Sequence, residues 1–83
     1  MKVKYFAWVR ERVGKAEETI EPPATVRTVE DLIAWLSGQG EAYAYAFEKP
    51  SVIRAAFDHA HVNADAAIEG AREIAFFPPM TGG

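Results

Sequence analysis

Val29, Leu32, Ile33 and Leu36 recur at i, i+3, i+4 and i+7, which draws a single apolar stripe along one helix. Thr28 stands before the stripe as a good N-cap, Asp31 follows in the capping-box position, and Glu30 adds favourable negative charge near the N-terminus. Ser37-Gly38-Gln39-Gly40 stops the helix, with Gly38 or Gly40 able to take the left-handed conformation beyond the last turn. A lone amphipathic helix must lay its stripe on something. In a chain of 83 residues there is room for one domain, and the partner that satisfies one such helix is a sheet. The composition supports a packed core, since 49% of residues are hydrophobic and 25% charged, values of an ordered globular domain.

Strand signals flank the helix on both sides. Val3, Tyr5, Ala7 and Val9 alternate with Lys2, Lys4, Phe6 and Trp8, the period of two of a half-buried strand. Gly14 supplies a turn, and residues 18–21 read as a second strand of a hairpin, ended by Pro22-Pro23 because proline cannot donate to a ladder. Residues 41–53 are ambiguous between alternation and an alanine-rich helix; we read a short helix ending before Pro50. Residues 52–61 read as a strand with Ile53, Ala55 and Phe57 on one face. Asn63-Ala64-Asp65 and Gly70 make turns, and residues 72–77 form the last strand, closed by Pro78-Pro79. The order strand, strand, helix, strand, strand predicts an α+β fold of the β-grasp, ubiquitin-like type. It has a mixed sheet of about four to five strands, one main helix across one face, and first and last strands paired in parallel at the centre. The expected organisation is a β-grasp domain over residues 1–79 and a flexible diglycine tail over residues 80–83.

Charge and cysteine content exclude several functions. A net charge of −3 with nine dispersed Lys and Arg does not make the clustered basic face that a nucleic-acid binder needs. No apolar run approaches the roughly 20 residues of a membrane span, and the charged-apolar alternation after Met1 is unlike a signal peptide. A cytoplasmic location, with no nucleic-acid and no membrane partner, is expected. Cysteine is absent, so there is no disulfide, thiolate metal site or thiol nucleophile on this chain. Any sulfur handled here must sit on another group.

The most informative stretch is Phe76-Phe77-Pro78-Pro79-Met80-Thr81-Gly82-Gly83. Two prolines break the sheet and stiffen the exit, and the four residues that follow can reach about 13 Å at roughly 3.3 Å each. Gly82 and Gly83 carry no Cβ, so such a tail can thread a narrow channel and present an unhindered carboxylate. A diglycine alone is ordinarily a frayed terminus; placed directly after a strand and two prolines it is far more specific.

Residues 75–83 resemble the C-terminal signature of MoaD-type proteins, the small subunits of molybdopterin synthase. Tyr5-Phe6-Ala7, Val9-Arg10-Glu11 and Gly14 resemble that family's first strand and turn, and Thr28-Val29-Glu30-Asp31-Leu32 its helix start. In this chain Gly70-Ala71-Arg72-Glu73 stands where many relatives have Gly-Asp-Glu before the last strand, and residues 54–61 match the family poorly. The resemblance implies a β-grasp fold and a sulfur carrier of molybdenum-cofactor biosynthesis. It implies that Gly83 is adenylated by an E1-like (MoeB-like) enzyme using ATP and is converted to a thiocarboxylate. The large synthase subunit (MoaE-like) then uses that sulfur on cyclic pyranopterin monophosphate. Gly83, with Gly82, is the reactive end; no cofactor is permanently bound, and no catalysis is expected of the chain alone. The same tail would serve a thiamine-type sulfur carrier or a ubiquitin-like protein modifier.

Other constellations carry less. His59 and His61 would share one strand face, but two imidazoles are too few for a closed metal site. Ser51, Asp58 and His59 lack a nucleophile elbow. Trp35, Tyr43 and Tyr45 read as packing residues. For docking, Val3, Tyr5 and Ala7 on the first strand and Ile74 and Phe76 on the last should face the helix, which turns Phe6, Trp8 and Phe77 to the other sheet face beside the tail. Unless residues 41–53 fold over them, these aromatics, with Pro78, Pro79, Met80 and Thr81, are the expected partner-binding surface.

Overall fold

The structure, a computed structural model, describes residues 1–79; the expected tail of residues 80–83 lies outside the described residues. Along the chain run β1 (Lys2–Tyr5), α1 (Ala7–Val13), β2 (Glu17–Thr19), α2 (Val29–Ser37) and α3 (Glu41–Ala46). A 3₁₀ turn (Pro50–Val52), β3 (Arg54–Phe57), β4 (Ala60–Val62) and β5 (Glu73–Phe77) complete it. The five strands form one mixed sheet in the order β2-β1-β5-β3-β4. β1 and β5 pair in parallel, with Val3 opposite Ile74 and Tyr5 opposite Phe76. β1 is antiparallel to β2, and β3 is antiparallel to both β5 and β4. This is the expected β-grasp: a parallel pair needs a long crossover, and the segment carrying α2 supplies it.

One face of the sheet holds the core. Val3, Tyr5, Ile74 and Phe76 are buried there with the α2 stripe of Val29, Leu32, Ile33 and Leu36. The predicted capping box is formed, with Asp31 N–H donating to Thr28 Oγ1 and Thr28 N–H donating to Asp31 Oδ2. The short helix read over residues 41–53 is α3, ended before Pro50, and it delivers Phe47 into the core. Phe47 is 1% exposed and meets Phe76 edge-on at 5.4 Å and Tyr5 at 6.4 Å between ring centroids. The region thus completes the main core on the α2 side. It does not spread over Phe77 on the opposite face.

Three strand boundaries differ from the sequence reading. The first strand stops at Tyr5, and Ala7 and Val9 belong to α1. Val9 and Val13 are both buried, one turn apart, so the segment also satisfies a helical period, and its Ala, Arg and Glu residues favour that choice. The chain makes the change at Ala7, whose φ is 52°, and α1 ends on Gly14 at φ 90°, whose N–H donates to the Arg10 carbonyl at 2.8 Å. The second strand is Glu17–Thr19, one residue earlier than residues 18–21. Residues 52–61 are not one strand: the 3₁₀ turn precedes β3, and Asp58 (φ 46°) and His59 (φ 76°) form a two-residue hairpin turn into β4. A turn with both central residues at positive φ matches the twist of its strands, and Asp and His tolerate that region without the glycine that would have announced it.

Candidate functional site

β5, the central strand, ends at Phe77 and passes the chain to Pro78 and Pro79, both partly exposed. Everything expected to act lies around or beyond this point. Gly82, Gly83, Met80 and Thr81 fall outside the described residues, so the structure places only the root of the tail and its surroundings.

On the sheet face away from α2, alternation puts Glu73, Ala75 and Phe77 outward, because Ile74 and Phe76 are buried on the other side. Phe77 stands opposite Arg54 in the register with β3, and its ring meets His61 of β4 edge-on at 5.1 Å. On the β1 side of the same face, Lys4 pairs with Glu73 at 3.5 Å and Lys2 with Glu17 at 2.8 Å. Phe6 leaves β1 in an extended conformation and is 44% exposed, while its N–H donates to the Phe76 carbonyl at 3.1 Å. Phe6 and Phe77 thus both flank the exit of β5.

Trp8 does not join them by strand alternation. It sits on α1, where Arg12, one turn later, lies over its ring with the guanidinium carbon 4.5 Å from the centroid. The same guanidinium lies 4.0 Å from the Tyr45 ring centroid, and its Nη1 donates to the Tyr45 carbonyl at 3.2 Å and to Glu48 at 3.3 Å. The result is a cation held between two aromatic rings, joining α1 to the end of α3. Trp8, Arg12, Glu48, Lys49, Val52 and Pro79 line a groove of about 360 Å³ at the root of the tail. The sequence reading missed Arg12, Glu48, Lys49 and Val52 here. A helical reading of residues 7–13 would have placed Arg12 beside Trp8.

α3 is tied to the first hairpin by a shared carboxylate. Tyr5 and Tyr43 each donate a hydroxyl hydrogen to Glu18 Oε2 at 2.7 Å, and Lys15 approaches Oε1 at 3.5 Å. Burial pushes the Glu18 carboxyl up, but the Tyr43 and Tyr5 hydrogen bonds and the Lys15 charge outweigh it and hold the group below the usual carboxylate range. Burial, then the bond to Glu18, raises the Tyr5 phenol well above its usual range.

The remaining candidates are kept apart. His59 sits in the hairpin turn and His61 on β4, so they are not alternate residues of one strand as expected. Ser51 lies in the 3₁₀ turn before β3, and Asp58 and His59 lie beyond its far end, which separates the paper triad. Among the described residues no group of three or more His, Asp or Glu side chains is arranged to hold a metal ion. No helix among them is long and apolar enough to cross a membrane. What this geometry offers is a sheet whose central strand gives way to Pro78-Pro79, with Phe77 and the groove lined by Trp8 and Pro79 beside that exit.

Known proteins resemble the chain over nearly their whole length. The chain is 39% identical over 83 residues to a molybdopterin synthase sulfur carrier subunit from Escherichia coli K12, covering 100% of this chain and 99% of the relative. A solved structure described as a putative molybdopterin converting factor, subunit 1, from Pyrococcus furiosus is 27% identical. It has a TM-score of 0.73, with 95% of each chain covered. The crystal structure of SAMP1 from Haloferax volcanii is 25% identical with a TM-score of 0.72, covering 100% of this chain and 98% of that one. Residues 3–83 match the ThiS family, and by that match over nearly the whole sequence the chain belongs to it.

Proposed function

We propose that this chain is a sulfur carrier of molybdenum-cofactor biosynthesis and acts as the small subunit of a molybdopterin synthase. The observation that carries the reading is the launch of the tail. The central strand of the sheet ends on Pro78-Pro79, and the sequence then runs through Met80 and Thr81 to Gly82-Gly83. The full-length likeness to a protein named for that role supports it.

In this reading the Gly83 carboxylate attacks the α-phosphate of ATP on an E1-like enzyme, giving an acyl-adenylate and pyrophosphate. A sulfide-level sulfur nucleophile then adds to the acyl carbon, AMP leaves, and the terminus becomes a thiocarboxylate. In the complex with the large subunit the sulfur passes to cyclic pyranopterin monophosphate. A water oxygen takes its place on the acyl carbon, which restores the carboxylate. The chain brings no thiol and holds no resident cofactor for these steps; its contribution is to bind and to present the tail. Phe6, Trp8, Phe77, Pro78, Pro79, Met80 and Thr81 are the proposed contacts with the large subunit and with the activating enzyme.

The test is reconstitution of chemically thiocarboxylated protein with the large subunit and the pterin precursor, followed by mass spectrometry of the spent carrier. Return of its mass to that of the carboxylate, with dithiolene product formed, is expected. Deleting Gly83 should abolish transfer and leave the thermal melt unchanged, and a fully active deletion would refute the reading. Recovery from cells of adducts on target lysines instead of a thiocarboxylate would identify a protein modifier.

A further inference from the structure

The groove beside Pro79 is a separate surface from the sheet face that carries Phe77. On the sheet face Phe77 stands opposite Arg54 and against His61, and the charges nearby on β1, Lys2 and Lys4, are paired with Glu17 and Glu73. The groove couples an apolar floor, Trp8, Val52 and Pro79, to a charged rim, Arg12, Glu48 and Lys49. Arg12 and Glu48 are spent on each other and on the two rings. Lys49 is exposed and makes no ion pair among the described residues, so its ammonium is the rim's uncommitted charge. One face of Trp8 is already covered by Arg12, which makes the indole a fixed wall and leaves less of it as a free stacking platform.

From this we infer that the groove is a second docking site, which takes an apolar side chain of the large synthase subunit with an adjacent carboxylate paired to Lys49. The inference rests on the function proposed above. A volume of about 360 Å³ suits one or two side chains rather than a whole helix. A Trp wall with an Arg held against it is the composition in which binding energy concentrates. Pro79 is both the floor of the groove and the root of the tail, so a partner that swallows the tail necessarily comes to rest over it. Phe77 ends β5 and Pro79, two residues on, lines the groove, so a partner using both grips the tail's root at two points. Two such contacts fix the heading of the tail's root, which a single flat contact would not.

The experiment is calorimetric titration of the large subunit with the full chain at low and high salt. It compares wild type with Lys49→Glu, Lys49→Arg, Trp8→Ala and Phe77→Ala, each checked by thermal melting. Lys49→Glu is expected to weaken binding about tenfold or more and to flatten its salt dependence, while Lys49→Arg stays near wild type. Trp8→Ala is expected to weaken binding by about tenfold or more at both salt levels. Because Lys49 is exposed, its variants report on docking even if Trp8→Ala loosens the fold. Wild-type affinity in both Lys49→Glu and Trp8→Ala, with Phe77→Ala weakened, would overturn the groove and leave the carrier reading standing. Failure of the wild-type chain to bind at all would overturn both.

Discussion

Phe47→Ala is the most revealing single change to the fold, because it tests whether α3 and the loop after it are part of the main core. The ring is 1% exposed and closes an aromatic trio, 5.4 Å from Phe76 and 6.4 Å from Tyr5 between centroids. Truncating a fully buried Phe removes its transfer free energy and leaves a cavity, together about 3–5 kcal/mol. The edge-on pair with Phe76 accounts for about 0.5–1.5 kcal/mol beyond burial, which puts this site towards the upper part of that range. The whole domain should hold roughly 4–12 kcal/mol, from about 0.05–0.15 kcal/mol per residue. The variant therefore gives up a large fraction of its stability. At about 4–8 °C per kcal/mol for a domain of this size, the melting temperature should fall by about 12 °C or more. Urea titration at 25 °C beside the thermal scan gives the free energy directly, and an unchanged slope would show that the compactness of the end states is preserved. A loss under about 1 kcal/mol would refute the reasoning, since it would mean that Phe47 is not packed between Tyr5 and Phe76. Phe47→Leu keeps most of the volume and should cost clearly less than the alanine variant.

Two further perturbations follow from particular residues. Glu18 has a depressed folded-state pKa, so the stability it contributes is present above its unfolded value of 4.5 and is lost as pH falls through the lower folded value. Urea midpoints measured from neutral to acid pH should fall steeply below that value in wild type. In Glu18→Gln the Glu18 part of that loss should be missing, at the expense of about 1–3 kcal/mol at neutral pH, where two tyrosine hydroxyls lose a charged acceptor; a Gln variant with an unchanged acid limb would contradict the assignment. Ala7 holds φ 52° where the strand turns into α1. Ala7→Gly relieves about 1–2 kcal/mol of left-handed strain against about 0.4–1 kcal/mol of added unfolded-state entropy. The difference, about 0–1.6 kcal/mol, leaves Ala7→Gly at least as stable as wild type, and a lower melting temperature would show that the turn is not strained.

Local pattern carried the centre of this fold. The i, i+3, i+4, i+7 stripe and the Thr28–Asp31 box define α2 within its own residues, because caps and helix faces depend on neighbours a few positions away. Period-two alternation likewise sorted Val3, Tyr5, Ile74 and Phe76 inward and Phe77 outward, and the order of elements, with a helix between the two strand pairs, led to the parallel pairing of β1 with β5. The tail motif was legible for the same reason: it is contiguous. Where two periods fitted the same residues, tertiary packing decided. Ala7 and Val9 suit a strand or a helix, and the burial of Val9 with Val13 selected the helix, which moved Trp8 from the sheet face to the groove. The Asp58-His59 turn carried no glycine or proline to mark it, so only the pairing of β3 with β4 revealed it. The groove itself had no local signature. Arg12 reaches Tyr45 and Glu48 across separations of 33 and 36 residues, and contacts of that range exist only once the chain has folded.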